Sequence, residues 1–172
     1  RLASELGFSK VASTDTVREA LRTQITSSES PALHRSSFES AGGSAVEDWE
    51  ETVEAVSEGV RAVIQRALDK KSDLLLEGVH YLPNKAVIDE WRDAGGIATG
   101  VVLYVTSENM HRGMIANREK HNGKKLDHYL GNLDRIREIQ EDLVVSGSES
   151  EWVLVDPTKE SAATGIISNS LG

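Results

Sequence analysis

The stretch LLLEGVHYLP, residues 74–83, decides how the rest of the chain is read. Three leucines follow Asp73, a run that suits a strand buried on both faces of a sheet. The run then ends on Glu77, Gly78 and His80. A hydrophobic strand that delivers a carboxylate, a glycine and an imidazole to its carboxyl end has the form of a ligand edge, because open α/β sheets bind ligands there.

On either side, strand-like and helix-like segments alternate. KVAST (residues 10–14) reads as a short strand and DTVREALRTQI as a helix, with Thr16 and Glu19 spaced for a capping box. RLASELGF, ahead of them, reads as the end of a helix stopped by Gly7. Residues 27–44 are rich in Ser and Gly and read as an irregular loop. Residues 46–70 keep helical apolar spacing through Val53, Val56, Val60 and Ile64. KAVIDEWRDAGG reads as a helix closed by Gly95 and Gly96, and IATGVVLYV (97–105) as a second buried strand. Ser107 caps a further helix, residues 126–144 form another, EWVLVD is a last strand, and residues 158–171 are a terminal helix. Trp49, Trp91 and Trp152 fall at positions suited to a core. This alternation predicts an α/β domain with a mostly parallel sheet. A sheet of this kind ordinarily begins on a strand, whereas this chain begins on the end of a helix.

Composition narrows the function classes. The chain has 172 residues, 38% hydrophobic and 27% charged, which suits one globular domain over 1–172. It has no cysteine, so thiolate metal sites and cysteine nucleophiles are excluded. No apolar run is long enough to span a bilayer and no signal peptide opens the chain, so no membrane partner is expected and the cytoplasm is the expected location. A net charge of −9 opposes general nucleic-acid binding. Yet residues 111–137 hold seven Lys/Arg against three Asp/Glu, a local +4 that leaves −13 elsewhere. That contrast marks a segment suited to facing phosphate. His111, His121 and His128 lack a metal-ligand spacing.

Taken in order, STDTVREALR, LHRSSFES, LLLEGVHYLP, YVTSENMHRGMIANRE and YLGNLDRIREIQEDL resemble the 2-phosphoglycerate kinase family of P-loop kinases, across nearly the whole chain. The resemblance implies a three-layer P-loop kinase-like fold with a helical lid over residues 108–145. It implies ATP and Mg²⁺ as cofactors, a small phosphorylated acid as substrate, and phosphate transfer to 2-phosphoglycerate. The family's phosphate-cradling loop, G-x-x-x-x-G-K-[ST], does not occur in these 172 residues. The expectation is that the first strand and P-loop are missing from this chain and precede Arg1, and that the chain alone is inactive.

The resemblance also distributes roles. Asp15 follows the first strand of this chain, where a carboxylate accepts the proton of an attacking hydroxyl; it or Thr16 could equally cap the helix. Arg18, His34, Arg35, Ser36, Ser37 and His80 are the candidate substrate-binding groups, with Arg35 matched to phosphate by its fork geometry. Glu77 is the candidate Mg²⁺ carboxylate. Arg112 and Arg118 are the candidate lid arginines that stabilise the transferring phosphoryl group, against the alternative of a solvated helix face. Arg135 and Arg137 could instead pair with Glu138, Glu141 or Asp142 along their own helix. Two other functions stay open: a non-catalytic ligand-binding relative of the fold, and a kinase for another small hydroxyl acceptor.

Overall fold

Local signals set most of the elements. The computed structural model describes residues 2–159 and 163–171. A short helix α1 (Leu2–Leu6) ends at Gly7, whose φ of +77° is the left-handed conformation of a helix stop. Strand β1 (Val11–Ser13) leads directly into α2 (Thr14–Arg22). The expected Thr16–Glu19 capping box is not formed: Ser13 is the N-cap, without a side-chain bond, and Glu19 pairs with Arg22 at 2.6 Å. Within the expected loop, Pro31 starts a single turn, α3 (Pro31–His34).

The long helix α4 (Ala45–Asp69) is fixed at its start by a full capping box, Ser44 with Glu47. Its apolar stripe supplies the core. Trp49, Val53 and Ile139 meet Phe38 in one cluster, and Leu33, Val56, Val60 and Ile64 form another. Beyond it come β2 (Leu75–Glu77), α5 (Lys85–Asp93), β3 (Val101–Leu103), α6 (Glu108–Glu119), α7 (Gly123–Gly131), α8 (Leu133–Glu149), β4 (Val153–Val155) and α9 (Ala163–Ser170). Ser107 caps α6, as its position predicts. The expected single helix over 126–144 is broken at Asn132 into α7 and α8. Of the terminal helix expected over 158–171, residues 160–162 lie outside the described residues, as does Arg1; Thr158 and Lys159 belong to a turn.

The sheet differs from the expected continuous parallel array. β1 pairs with β2 and β3 with β4, both in parallel, as two separate ladders with no strand pairing between them among the described residues. With one neighbour each, the strands are not sheathed on all sides. Leu74, Leu75 and Leu76 are half-buried rather than buried on both faces, and in the expected strand 97–105 Ile97 and Leu103 are 70% and 59% exposed. The chain leaving β2 runs back toward the beginning of β4. Tyr81 stacks on Trp152 with ring centroids 6.1 Å apart, and Ser150 Oγ donates to Pro83 O at 3.1 Å.

Helix α8 joins the two halves. Arg135 donates to Phe38 O at 2.9 Å, ahead of α4, while Arg137 and Gln140 donate to Val105 O at 3.2 Å, just after β3. Arg135 and Arg137 therefore reach across the fold rather than pairing along their own helix. Leu133 and Ile139 are buried, so α8 is core. In α6 the buried residue is Ile115, and no residue of α7 is fully buried. No described helix is long and apolar enough to cross a membrane.

Candidate functional site

The site grows from the parallel register of β1 and β2. Pairing Ser13 with Glu77 puts the residues that follow, Thr14–Asp15 and Gly78–His80, at the same carboxyl end. Gly78 has a φ of +135°, and a Cβ built on it would stand 2.0 Å from Thr14 Oγ1. Only glycine allows the backbone after β2 to come this close to the start of α2. That turn drives His80 inward, where it is 2% exposed.

His80 meets α2 side-on. Its Nδ1 lies 3.5 Å from Asp15 Oδ1 and 3.5 Å from Thr14 Oγ1, and its backbone N–H donates to Thr14 Oγ1 at 3.4 Å. Burial pushes the imidazole pKa down; Asp15 pulls the other way and Arg18 reinforces the fall. Asp15 itself stays exposed. One turn along, Arg18 Nη1 is 3.7 Å from the same Asp15 oxygen. Its Nε donates to Leu33 O at 2.9 Å and its Nη2 to Arg35 O, so Arg18 mainly straps α3 to α2. Glu77 ends β2 exposed, and its carboxylate has no hydrogen bond or ion pair among the described residues.

The donor cluster of residues 34–37 is largely committed to structure. His34 Nε2 lies 2.8 Å from Ile25 O and its Nδ1 3.4 Å from Arg22 Nε, so neither ring nitrogen is spare. Arg35 donates to Asp48 O and, at 2.7 Å, to Glu51; its Nε is buried without a partner. The hydroxyls of Ser36 and Ser37 are half-buried and uncommitted among the described residues.

The two lid candidates sit elsewhere. Arg112 pairs with Glu108 at 3.2 Å, and Arg118 with Glu119 at 2.8 Å while its guanidinium lies 4.7 Å from the Tyr129 ring centroid. Among the described residues no hydrogen bond or ion pair ties either arginine to the Asp15–His80 cluster. The structure thus brings together Asp15, Arg18 and His80 with Glu77 beside them, holds the 34–37 loop through Arg18, and leaves Arg112 and Arg118 apart.

Three participants escaped the sequence reading. Thr14 looked like part of a strand end, yet it is the fully buried hydroxyl beneath His80. Asp48, which the sequence reading did not single out, is 3% exposed and organises the 41–43 turn. Asp156 is 1% exposed and accepts from the backbone N–H and hydroxyl of both Thr106 and Thr158, which hold its carboxyl far below the usual range. The one available signal was the placement of Thr14 and Asp156 immediately after strands. An open cavity of about 630 Å³ lies along α4, lined by Glu47, Asp48, Glu50, Glu51 and Glu54. Its charge is wrong for a phosphorylated acid.

No protein-family model matches the chain, and no solved structure matches it with statistical significance. Among curated proteins, the chain is 31% identical over 163 residues to the 2-phosphoglycerate kinase of Pyrococcus furiosus, covering 90% of this chain and 52% of that one. It is 27% identical over 168 residues to the 2-phosphoglycerate kinase of Methanococcus maripaludis strain C7, with 90% and 53% covered. With that of Pyrococcus horikoshii it shares 30% over 151 residues, 83% and 48%. The chain therefore spans about half the length of the curated relatives it matches. Over the region they share, the chain is similar in sequence to these 2-phosphoglycerate kinases.

Proposed function

We propose that a protein built on this chain transfers the γ-phosphoryl group of ATP to the free hydroxyl of 2-phosphoglycerate, giving 2,3-bisphosphoglycerate. The observation that carries the reading is the exposed Asp15 carboxylate, held beside a buried His80 at the carboxyl end of the β1–β2 ladder. In the transfer, the acceptor oxygen forms its bond to the γ-phosphorus as the bond to the bridging oxygen breaks. Asp15 takes the hydroxyl proton and ADP departs with the electron pair. The names of the relatives support the choice of acceptor.

Glu77 offers one free, exposed carboxylate at this edge. Among the described residues no group of three or more His, Cys, Asp or Glu could hold a metal by itself. That donor set suits Mg²⁺, which takes one or two carboxylates and fills its remaining positions with substrate phosphates and water. Bound there, Mg²⁺ would neutralise charge on the β- and γ-phosphates. The Ser36 and Ser37 hydroxyls are the groups left to grip the acceptor's own phosphate. Arg112 and Arg118 could act on the nucleotide only if α6 and α7 closed over it.

Because G-x-x-x-x-G-K-[ST] is absent from these 172 residues, the activity is proposed for a chain of the relatives' length. The test is to supply such a protein with Mg-ATP and 2-phosphoglycerate and to follow ADP release together with the phosphorus NMR spectrum. A product with two phosphomonoester signals is expected. Binding of 2-phosphoglycerate without ADP release would favour a non-catalytic relative, and turnover of an unphosphorylated alcohol alone would reassign the acceptor.

A further inference from the structure

Thr14, Gly78 and Asp15 hold the buried imidazole of His80 in place. Thr14 is fully buried, and its Oγ1 accepts the His80 backbone N–H and lies 3.5 Å from Nδ1. A Cβ on Gly78 would collide with that hydroxyl. The Nδ1 edge also meets Asp15 Oδ1 at 3.5 Å, the long end of hydrogen-bond reach, as is common before ligands tighten a site. On the far side, Nε2 is buried with no partner.

We propose that His80 is a positioning residue for Asp15: a buried, neutral imidazole whose Nδ1–H donates to the carboxylate and fixes the direction in which it accepts the substrate's proton. This rests on the reading of Asp15 as the proton acceptor. Of the two neutral tautomers, the one with its proton on Nδ1 gives the Asp15 carboxylate a donor. The charged groups facing the ring are Asp15 and Arg18, both from α2. The Arg18 guanidinium already stands 3.7 Å from the Asp15 oxygen and is tethered there by Leu33 O and Arg35 O. A second cation on His80 would be buried beside it, which burial and like charge both oppose. Neutral His80 orients Asp15 without neutralising it, so the carboxylate keeps its capacity to take a proton. Thr14 and Gly78 serve the same end one step removed, because they set the ring's depth and tilt.

The experiment has two arms on a chain of the relatives' length. Nitrogen-15 NMR of labelled histidine should place the His80 proton on Nδ1 and find the ring neutral at pH 7. The Nδ1 signal should shift in Asp15→Asn. In kinetics, His80→Phe should lower kcat by about 10–100-fold, the range for residues that orient a functional group, with KM for both substrates unchanged. His80→Asn, which retains an amide donor, should recover most of that loss. A protonated ring at pH 7, a proton on Nε2, or full turnover in His80→Phe would each overturn the proposal. Normal turnover in Asp15→Asn would overturn both this inference and the reading of Asp15. A disabled Asp15→Asn beside an undisturbed His80→Phe would overturn this inference alone.

Discussion

Arg135 on α8 donates through Nη2 to Oδ2 of Asp48 on α4 at 2.6 Å, joining residues 87 positions apart. The same carboxylate accepts from Ala41 N–H at 2.9 Å and Gly43 N–H at 3.1 Å, and the same guanidinium donates to Phe38 O and Ser44 O. One pair thus closes the turn that carries the chain from Ser36 and Ser37 into α4. It also fixes α8 to the half of the molecule that contains Asp15 and His80.

The Ala41 N–H above all, then the Arg135 guanidinium and the Gly43 N–H, outweigh the cost of burying Asp48 and hold its carboxyl below the usual range. Since the folded-state pKa is the lower one, the unfolded chain takes up the proton first as pH falls. The stability from Asp48 is therefore fully present above about pH 4, the ordinary carboxylate value, and is lost as pH drops through the folded value. Asp48→Asn should lower Tm at pH 7 and flatten the fall in Tm between pH 4 and pH 3. Thermal unfolding followed by circular dichroism across that range checks both.

Gly78→Ala should destabilise the fold. The new methyl would meet Thr14 Oγ1 and sit at a φ of +135°, where side chains are strained. A cost of about 1–3 kcal/mol is expected for such backbone strain. Urea unfolding measures it directly, and a loss below the lower bound would mean that the turn relaxes. The double variant Gly78→Ala with Thr14→Ala, which removes the clashing hydroxyl, should not recover the whole loss, because the strain is in the backbone as well as the contact.

Asp15→Asn, in a chain of the relatives' length, should lower kcat by about 10²–10⁴-fold. The KM for ATP should stay near that of the unsubstituted enzyme, because the carboxylate is proposed to act on the acceptor hydroxyl. Asp15 is exposed, so Tm should move little. Steady-state kinetics varying each substrate separately decide whether Asp15 takes the proton or only begins a helix.

Arg112→Ala and Arg118→Ala should each leave Tm nearly unchanged, since both guanidinium groups are exposed and their pairs with neighbouring glutamates are worth at most about 1 kcal/mol. If α6 and α7 close over the nucleotide, each substitution raises the barrier by about 3 kcal/mol, the typical loss of one donor to developing charge. Turnover should then fall roughly a hundredfold, by the same relation. Normal turnover in both variants would assign the basic segment to a solvated face.

The sequence by itself determined the parts whose physics is local. The apolar spacing through Val53, Val56, Val60 and Ile64 places α4 within a residue of its observed span, and Ser107 and Gly7 mark the ends of their helices. Glu77, Gly78 and His80 stand at the end of a strand, where the leucine run put them. Tertiary structure alone decided which partners those elements took. Nothing periodic tells Arg135 to choose Asp48 over an acid on its own helix, or Arg18 to spend its donors on carbonyls of the next turn. Nor does hydrophobicity separate a strand with one neighbour from a strand with two, so the half-exposed ladders replaced the buried sheet. Capping and spacing act over a few residues and can be read along the chain. The partners of a buried charge depend on which distant groups the packing carries within about 3 Å of it, and that distance exists only after the chain has folded.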